Sequence, residues 1–330
     1  MLRTPGPGDV DALHARRNDP EVAEFQAWAL PFERERAAQV LDDVTAVDGP
    51  TDGRWWMATV CLHDGEIVGD LAVRNSWEGR SAEIGFTFAR RHWGHGYALE
   101  AAEGLVRWLF EDQGVTRVHA MAHPDNHAST MLLERLGMLY EGRTRSSFWV
   151  GGECTDDVLY GMTQEDWAVW QSRPRHPATT VELVEITPDL ARSVEKLATH
   201  QSQRRFVATV EQSFADAMFA EPHEGADVDP WLRAVRADGE LVGFTMVALV
   251  EDHPPYLWRL LVDRTHQRRG LGDRVIDLLV EQCRRWGADR LDVSWGEGRG
   301  SPRTFYERRG FVPTGKIEDG ETEARLVITD

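Results

Sequence analysis

Arg91-His92-Trp93-Gly94-His95-Gly96 and Gln267-Arg268-Arg269-Gly270-Leu271-Gly272 are two copies of one pattern, Arg or Gln followed by x-x-Gly-x-Gly. Each copy follows an extended apolar stretch, Ser81 to Phe88 or Tyr256 to Val262. Each runs into helical periodicity: Ala98, Ala101, Ala102, Leu105, Val106 and Leu109 after the first, Val275, Ile276, Leu279, Val280, Cys283 and Trp286 after the second. Strand, glycine loop and helix in that order make an anion trap. Glycine lets backbone approach an anion and turn its N–H groups inward. The helix start adds unpaired donors and the positive end of its dipole. Arg91, Arg268 and Arg269 can add charge-assisted hydrogen bonds. No Lys-Ser/Thr follows either loop, which excludes a nucleotide-triphosphatase loop. The third glycine of a dinucleotide fingerprint is absent, with Glu100 and Arg274 nearby instead.

One such loop is weak evidence, because two glycines at a helix start are common. Two in matched surroundings are not. With Gly96 aligned on Gly272, the distance from loop to the next helix stop is similar in both copies, Gly96 to Gly137 and Gly272 to Gly310. The neighbouring elements repeat as well. Trp55–Cys61 and Ile67–Val73 read as strands joined by a turn at His63-Asp64-Gly65, and 231–235 and 241–249 are joined at Ala237-Asp238-Gly239. A short strand and a last helix follow each long helix: Arg117–Ala122 and a helix opened by Asn126, then 290–295 and 302–309. The order of elements twice over signals a tandem duplication. The boundary is residues 172–180, SRPRHPATT, with two prolines and few apolar residues. The expected domains are 1–171 and 181–330.

The 330 residues suit two domains. A hydrophobic fraction of 42% and a charged fraction of 28% exclude disorder and coiled coil as the main state. No apolar run reaches the ~18 residues of a membrane span, and MLRTPGPGDV lacks the apolar core of a signal peptide, so a cytoplasmic location without membrane contact is expected. A net charge of -18 argues against nucleic-acid binding and favours a cationic small molecule, although solubility alone also explains it. Cys61, Cys154 and Cys283 form no metal or disulfide pattern. His92 and His95 lack further ligands nearby, so no metal is expected. Trp55, Trp56, Trp77 and Trp93 read as core packing rather than as a cleft. The acid-rich segment Glu221–Pro230 reads as a solvated loop, with a substrate-side loop as the alternative.

Both halves resemble the GNAT superfamily of N-acetyltransferases, whose pyrophosphate loop has the form Arg/Gln-x-x-Gly-x-Gly/Ala. The first half is similar to the ribosomal-protein N-terminal acetyltransferase branch (the RimJ/RimL type) through EIGFTFARRHWGHGYALEAAEGLVRWLF and HPDNHASTMLLERLGMLYEGR, with DVDALHARRNDPEV and Trp28–Pro31 earlier. The second is similar to the spermine/spermidine acetyltransferase branch through QRRFVA, YLWRLLVD, QRRGLG and FYERRGFVPTG. The resemblance implies two α/β domains, each a mixed, mostly antiparallel twisted sheet flanked by helices. Two adjacent strands would splay at a bulge and admit the pantetheine arm of acetyl-CoA. The backbones of Phe86, Thr87 and Phe88, and of Leu260, Leu261 and Val262, would meet it. The two loops, closed by Tyr97 and Asp273, would hold the pyrophosphate.

The same resemblance implies direct attack of an amine on the thioester in a ternary complex. Such chemistry needs a deprotonated amine and a proton for the leaving thiolate. Tyr306, four residues before Gly310, stands where the family places that acid; the plain alternative is a tyrosine packed on the sheet. The first half has Leu133 four residues before Gly137, which cannot donate a proton. There the resemblance points to Asn126 near the cofactor and Ser129 near the thiol, with helix capping and a buried polar contact as the alternatives. Glu83 and Asp263 lie near the two loops, and neither is assigned as the base. The expected acceptor is a small cationic amine, a polyamine or an amino-bearing antibiotic. The alternative is a protein N-terminus or lysine, with one domain a non-catalytic module. Monomer and homodimer are both compatible with the sequence.

Overall fold

The computed structural model describes residues 1–329. The chain divides into two compact units, Met1–Ser172 and a second that begins at Arg173. In the first, the strands are β1 (Leu2–Arg3), β2 (Trp55–Cys61), β3 (Ile67–Ser76), β4 (Ser81–Phe88), β5 (Arg117–Ala122), β6 (Leu139–Val150) and β7 (Glu153–Thr163). The helices are α1 (Val10–Arg17), α2 (Pro20–Ala23), α3 (Arg34–Thr45), α4 (Tyr97–Glu111), α5 (His127–Leu136) and α6 (Gln164–Ser172). The second unit has β8 (Val181–Glu185), β9 (Val228–Ala237), β10 (Glu240–Val250), β11 (Tyr256–Val262), β12 (Arg290–Gly296), β13 (Val312–Glu318) and β14 (Glu321–Val327). Its helices are α7 (Pro188–Glu195), α8 (Val210–Met218), α9 (Leu271–Trp286) and α10 (Arg303–Arg308).

The two sheets share one topology. Their orders are β1-β2-β3-β4-β5-β7-β6 and, read from the other edge, β8-β9-β10-β11-β12-β14-β13. Every pairing is antiparallel except β4 with β5 and β11 with β12. Each sheet is covered on both faces. In the first unit, Leu105, Val106 and Leu109 of α4 pack with Leu133 and Leu136 of α5 and Trp167 and Trp170 of α6 against Val73, Ile84 and Val118. The opposite face packs Leu13, Ala37, Leu41 and Val44 of α1 and α3 against Met57. In the second, α9 and α10 cover one face through Val275, Ile276, Leu279 and Tyr306, while Val194 of α7 and Val210 of α8 cover the other.

The side-chain amide oxygen of Asn126 opens α5, accepting from Ser129 N at 3.1 Å. A cap of this kind stabilises a helix by about 1 kcal/mol. The hairpins β6–β7 and β13–β14 and helix α6 extend the fold beyond the sequence expectations.

Candidate active site

The one parallel pair in each sheet does not stay paired. β4 and β5 hold together only from Ser81 opposite Arg117 to Glu83 opposite His119, then diverge. β11 and β12 pair only at Tyr256 with Asp292 and Leu257 with Val293. A notch opens beyond each pair. In the second unit a register shift opposite Met246 and Val247 marks a bulge in β11 at this point. In the first unit the β3–β4 ladder runs unbroken from Gly69 to Ser76, so the splay there forms without the expected bulge.

The strand edges facing the notches follow from the ladder. Ala89 donates its N–H to Val68 O at 2.9 Å, and Asp263 donates to Val242 O at 2.8 Å. Alternation along an antiparallel pair then turns the backbone groups of Phe86 and Phe88, and of Leu260 and Val262, into the notch. Thr87 and Leu261 turn theirs toward β3 and β10, so the expectation of backbone contact from all three residues in each strand is corrected to two. The side chains of Phe88 and Leu261 lie in the cores. The last notch-facing carbonyl is capped in both units: Trp93 Nε1 donates to Phe88 O at 2.8 Å, and Gln267 Nε2 donates to Val262 O at 3.1 Å.

These caps reset the register of the repeat. Trp93 corresponds to Gln267, Gly96 to Gly270 and Ala98 to Gly272, a constant offset two positions shorter than the pairing of Gly96 with Gly272 implies. The backbone agrees. Gly94 and Gly96 have φ of 80° and 86°, and their counterparts are Arg268 and Gly270 at 63° and 73°. Gly96 caps α4 and Gly270 caps α9. Gly272 is therefore no turn residue. It lies in the first turn of α9, where an added Cβ would stand 3.0 Å from the Phe305 ring. The signal was present in the sequence as Asp64-Gly65-Glu66-Ile67-Val68-Gly69 against Asp238-Gly239-Glu240-Leu241-Val242-Gly243, which carry the same offset as the caps.

The loop side chains divide between open and engaged. Arg268 is exposed. Arg269 is not available: only 5% exposed, its guanidinium donates to His176 O at 2.9 Å and to Asp238 Oδ2 at 2.9 Å, and lies 3.0 Å from His266 Nδ1. The expectation that it binds an anion through its side chain is corrected on that ground. Gln267 is likewise spent on Val262 and on Gln203 at 2.8 Å, which leaves it a brace. Arg91 reaches Glu66 at 3.1 Å, and His92 approaches the same oxygen at 3.1 Å. His95 stacks on Tyr97 with ring centroids 5.6 Å apart. The Leu271 side chain is buried, and Asp273 lies 3.8 Å from Arg309 at the end of α10. The free N–H groups at the starts of α4 and α9 complete both loops.

In the first unit the notch opens into a cleft of about 730 Å³. Its lining brings together Glu83, Phe86 and Thr87 of β4, Trp55 of β2, Asp157 of β7, Asn126 and Ser129 at the start of α5, and Trp28. Trp55 is thus a cleft residue, with the Arg74 guanidinium 4.8 Å above its ring. Trp77, at the β3–β4 turn, is 80% exposed, so core packing holds for neither; Trp56 does pack, on Trp108 at 5.7 Å. Glu83 is tied to Arg74. Burial pushes the Asp157 carboxyl above its ordinary value, and the Ser147 hydroxyl, at 3.2 Å, pulls it back. Burial also holds His119 below its ordinary value.

In the second unit Tyr306 is 7% exposed. It stacks on Trp295 at 5.8 Å and meets Phe305 and Phe311 edge-on. Burial raises its pKa well above the usual phenol range, which keeps the proton on the hydroxyl at neutral pH. Asp263 accepts from Ala198 N at 3.0 Å and Thr265 N at 2.9 Å, a structural role.

Comparisons with known proteins match the two units separately. One GNAT acetyltransferase domain model matches residues 1–139, and a second, the GNAT acetyltransferase family, matches residues 192–311. YdaF of Bacillus subtilis, a candidate ribosomal N-acetyltransferase, is 33% identical over 107 residues, 32% of this chain and 58% of its own length. The uS5-alanine N-acetyltransferase of Escherichia coli is 30% identical over 104 residues, 31% of this chain and 54% of its own. The chain thus spans a little over half the length of these two relatives. The structure of RimJ from Mycobacterium smegmatis with CoA-disulfide is 24% identical, covering 50% of this chain and 82% of its own, with a TM-score of 0.45. Among the described residues no helix is long and apolar enough to cross a membrane. With two models of one superfamily on two units of one topology, the chain belongs to the GNAT acetyltransferases as a tandem pair of domains.

Proposed function

We propose that the chain transfers acetyl from acetyl-CoA to the primary amine of a small cationic acceptor. The observation that carries this is the duplicated notch: unpaired backbone of Phe86 and Phe88, and of Leu260 and Val262, ending at a glycine loop and a free helix start. The donor set fits the cofactor. A pantetheine arm is an amide chain that can hydrogen-bond to a strand edge, and the pyrophosphate suits the loops at Gly94–Tyr97 and Arg268–Asp273. At Gly96 and Gly270 no atom lies within 4 Å of a would-be Cβ, so the approach is open. Acetyl-CoA, when bound, supplies an activated acyl group.

The protein's part is to orient and to move protons. In the first domain the Asp157 carboxylate attracts the acceptor's ammonium group and accepts its proton so that the lone pair is free. Ser129 faces the same cleft and supplies a hydroxyl near the leaving thiol. In the second domain Tyr306 is the proton donor to the thiolate. The Asp157 carboxylate in the cleft and the net charge of -18 support a cationic acceptor.

A second reading, a protein N-terminus as acceptor, is favoured by the names of the two ribosomal relatives. An acceptor panel with free-thiol detection separates them. Thiol release with polyamines or amino-bearing antibiotics supports the first, and release with peptides alone supports the second. Acetyl-CoA that neither binds nor turns over with any amine defeats both.

A further inference from the structure

We propose that His223, Glu224 and His253 form a binding site for a zinc-class divalent ion in the second unit. The three come from two segments, the connection between α8 and β9 and the turn between β10 and β11. Their ligand atoms all lie within 4.8 Å of one another. His253 Nε2 stands 3.3 Å from Glu224 Oε2. That matches the edge of a tetrahedron whose arms are the ~2.0–2.1 Å of zinc–nitrogen and zinc–oxygen bonds. The His223 and His253 rings meet nearly at right angles, 5.2 Å between centroids.

The tautomer decides what joins them. His253 Nδ1 lies 2.8 Å from Glu251 O, a carbonyl that can only accept. Nδ1 must therefore carry a hydrogen. Neutral His253 then presents a bare lone pair at Nε2 to a carboxylate oxygen. Two acceptors this close repel unless a cation sits between them, either a proton or a metal ion. The second histidine favours the metal, because a proton has no use for a third donor. A ligand histidine braced through its other nitrogen by a carbonyl is the usual outer arrangement of metal sites. Two imidazoles select zinc, copper or nickel over magnesium or calcium.

The local frame is set without the ion. His223 N donates to Ala226 O at 3.0 Å and Ala226 N to His223 O at 2.9 Å, closing a tight turn around Glu224 and Gly225. Asp252 and Glu318 add negative potential nearby, and Lys316 opposes it. His223 and Glu224 are exposed and His253 is half-buried, which leaves a fourth position open to water. Bound there, the ion staples the α8–β9 connection to the turn before β11, at the end of β11 away from the glycine loop.

The test uses the full chain stripped with chelator and titrated with Zn²⁺ alone by calorimetry, beside His223→Ala, His253→Ala and Glu224→Gln. The expected result is one micromolar or tighter site, weakened by about 100-fold or more in each histidine variant and by about tenfold or more in Glu224→Gln. Zn²⁺ should raise the Tm of the wild type and not of the histidine variants, while Mg²⁺ leaves it unchanged. Far-UV circular dichroism of the metal-free variants confirms that they remain folded. Equal Zn²⁺ affinity in wild type and variants would assign the binding to other histidines and overturn the proposal. Absence of binding at micromolar Zn²⁺ would overturn it as well.

Discussion

Gly69 and Gly243 each stand beside the carbonyl one residue before the end of the notch strand. A Cβ on Gly69 would lie 2.7 Å from Thr87 O, and on Gly243 2.5 Å from Leu261 O. Both carbonyls belong to the ladder that holds the strand in place, so neither can retreat freely. Alanine at either position should cost about 1–3 kcal/mol, read as a lower urea midpoint. Gly104→Ala is the contrast: it lies within α4 with no atom near its would-be Cβ, and should gain about 1 kcal/mol. A second prediction concerns Asp157. Its native pKa is raised above the ordinary 3.8. The ionised carboxylate is therefore penalised in the folded state, fully so above the native pKa. Asp157→Asn should raise stability at neutral pH, and the gain should shrink as pH falls through that native value toward 3.8. The same change should lower acetyl transfer by the first domain. Equal unfolding midpoints of the two proteins at pH 7 would show that the carboxylate is not strained.

The loops are where sequence and structure part by two residues. Gly270→Val should abolish acetyl-CoA binding in the second domain, because Gly270 holds a positive φ at the helix cap. Calorimetric stoichiometry should fall from two sites to one. Gly272→Ala only presses on the Phe305 ring and should leave two sites. The reverse pattern would restore the register read from glycine spacing alone. That register misled because Gly94-x-Gly96 and Gly270-x-Gly272 look alike, while the element that sets position is a carbonyl cap supplied by an indole in one copy and an amide in the other. Such a cap has no residue signature. The strands β2, β4, β5 and β11 were legible because burial imposed their apolar pattern. Strand β13 is exposed throughout and β6 nearly so, with Glu141, Arg143 and Arg145 in its run. Edge strands of this kind carry charge and lose their period. The cleft was illegible for another reason: its walls come from segments more than a hundred residues apart, Trp28 and Asp157 among them.

Each unit has its own pair of packed cores and a complete set of strand pairings. Expressed separately, 1–172 and 173–330 should each fold, with cooperative thermal unfolding followed by circular dichroism; a half that unfolds without cooperativity would show that it depends on the other. Across the duplication the distances are uneven. From Asp64 to His119 and from Asp238 to Val293, every matched position keeps one and the same offset from its counterpart, while Gly137 and Gly310 fall one position short of it. The first stretch holds the hairpin, the notch strand, the loop, the long helix and the diverging strand. A single inserted residue in the paired strands would turn their side chains to the wrong face. Since the duplication, that stretch has been free to change its letters and forbidden to change its length. Ancestry in such chains is better measured by counting positions than by matching residues.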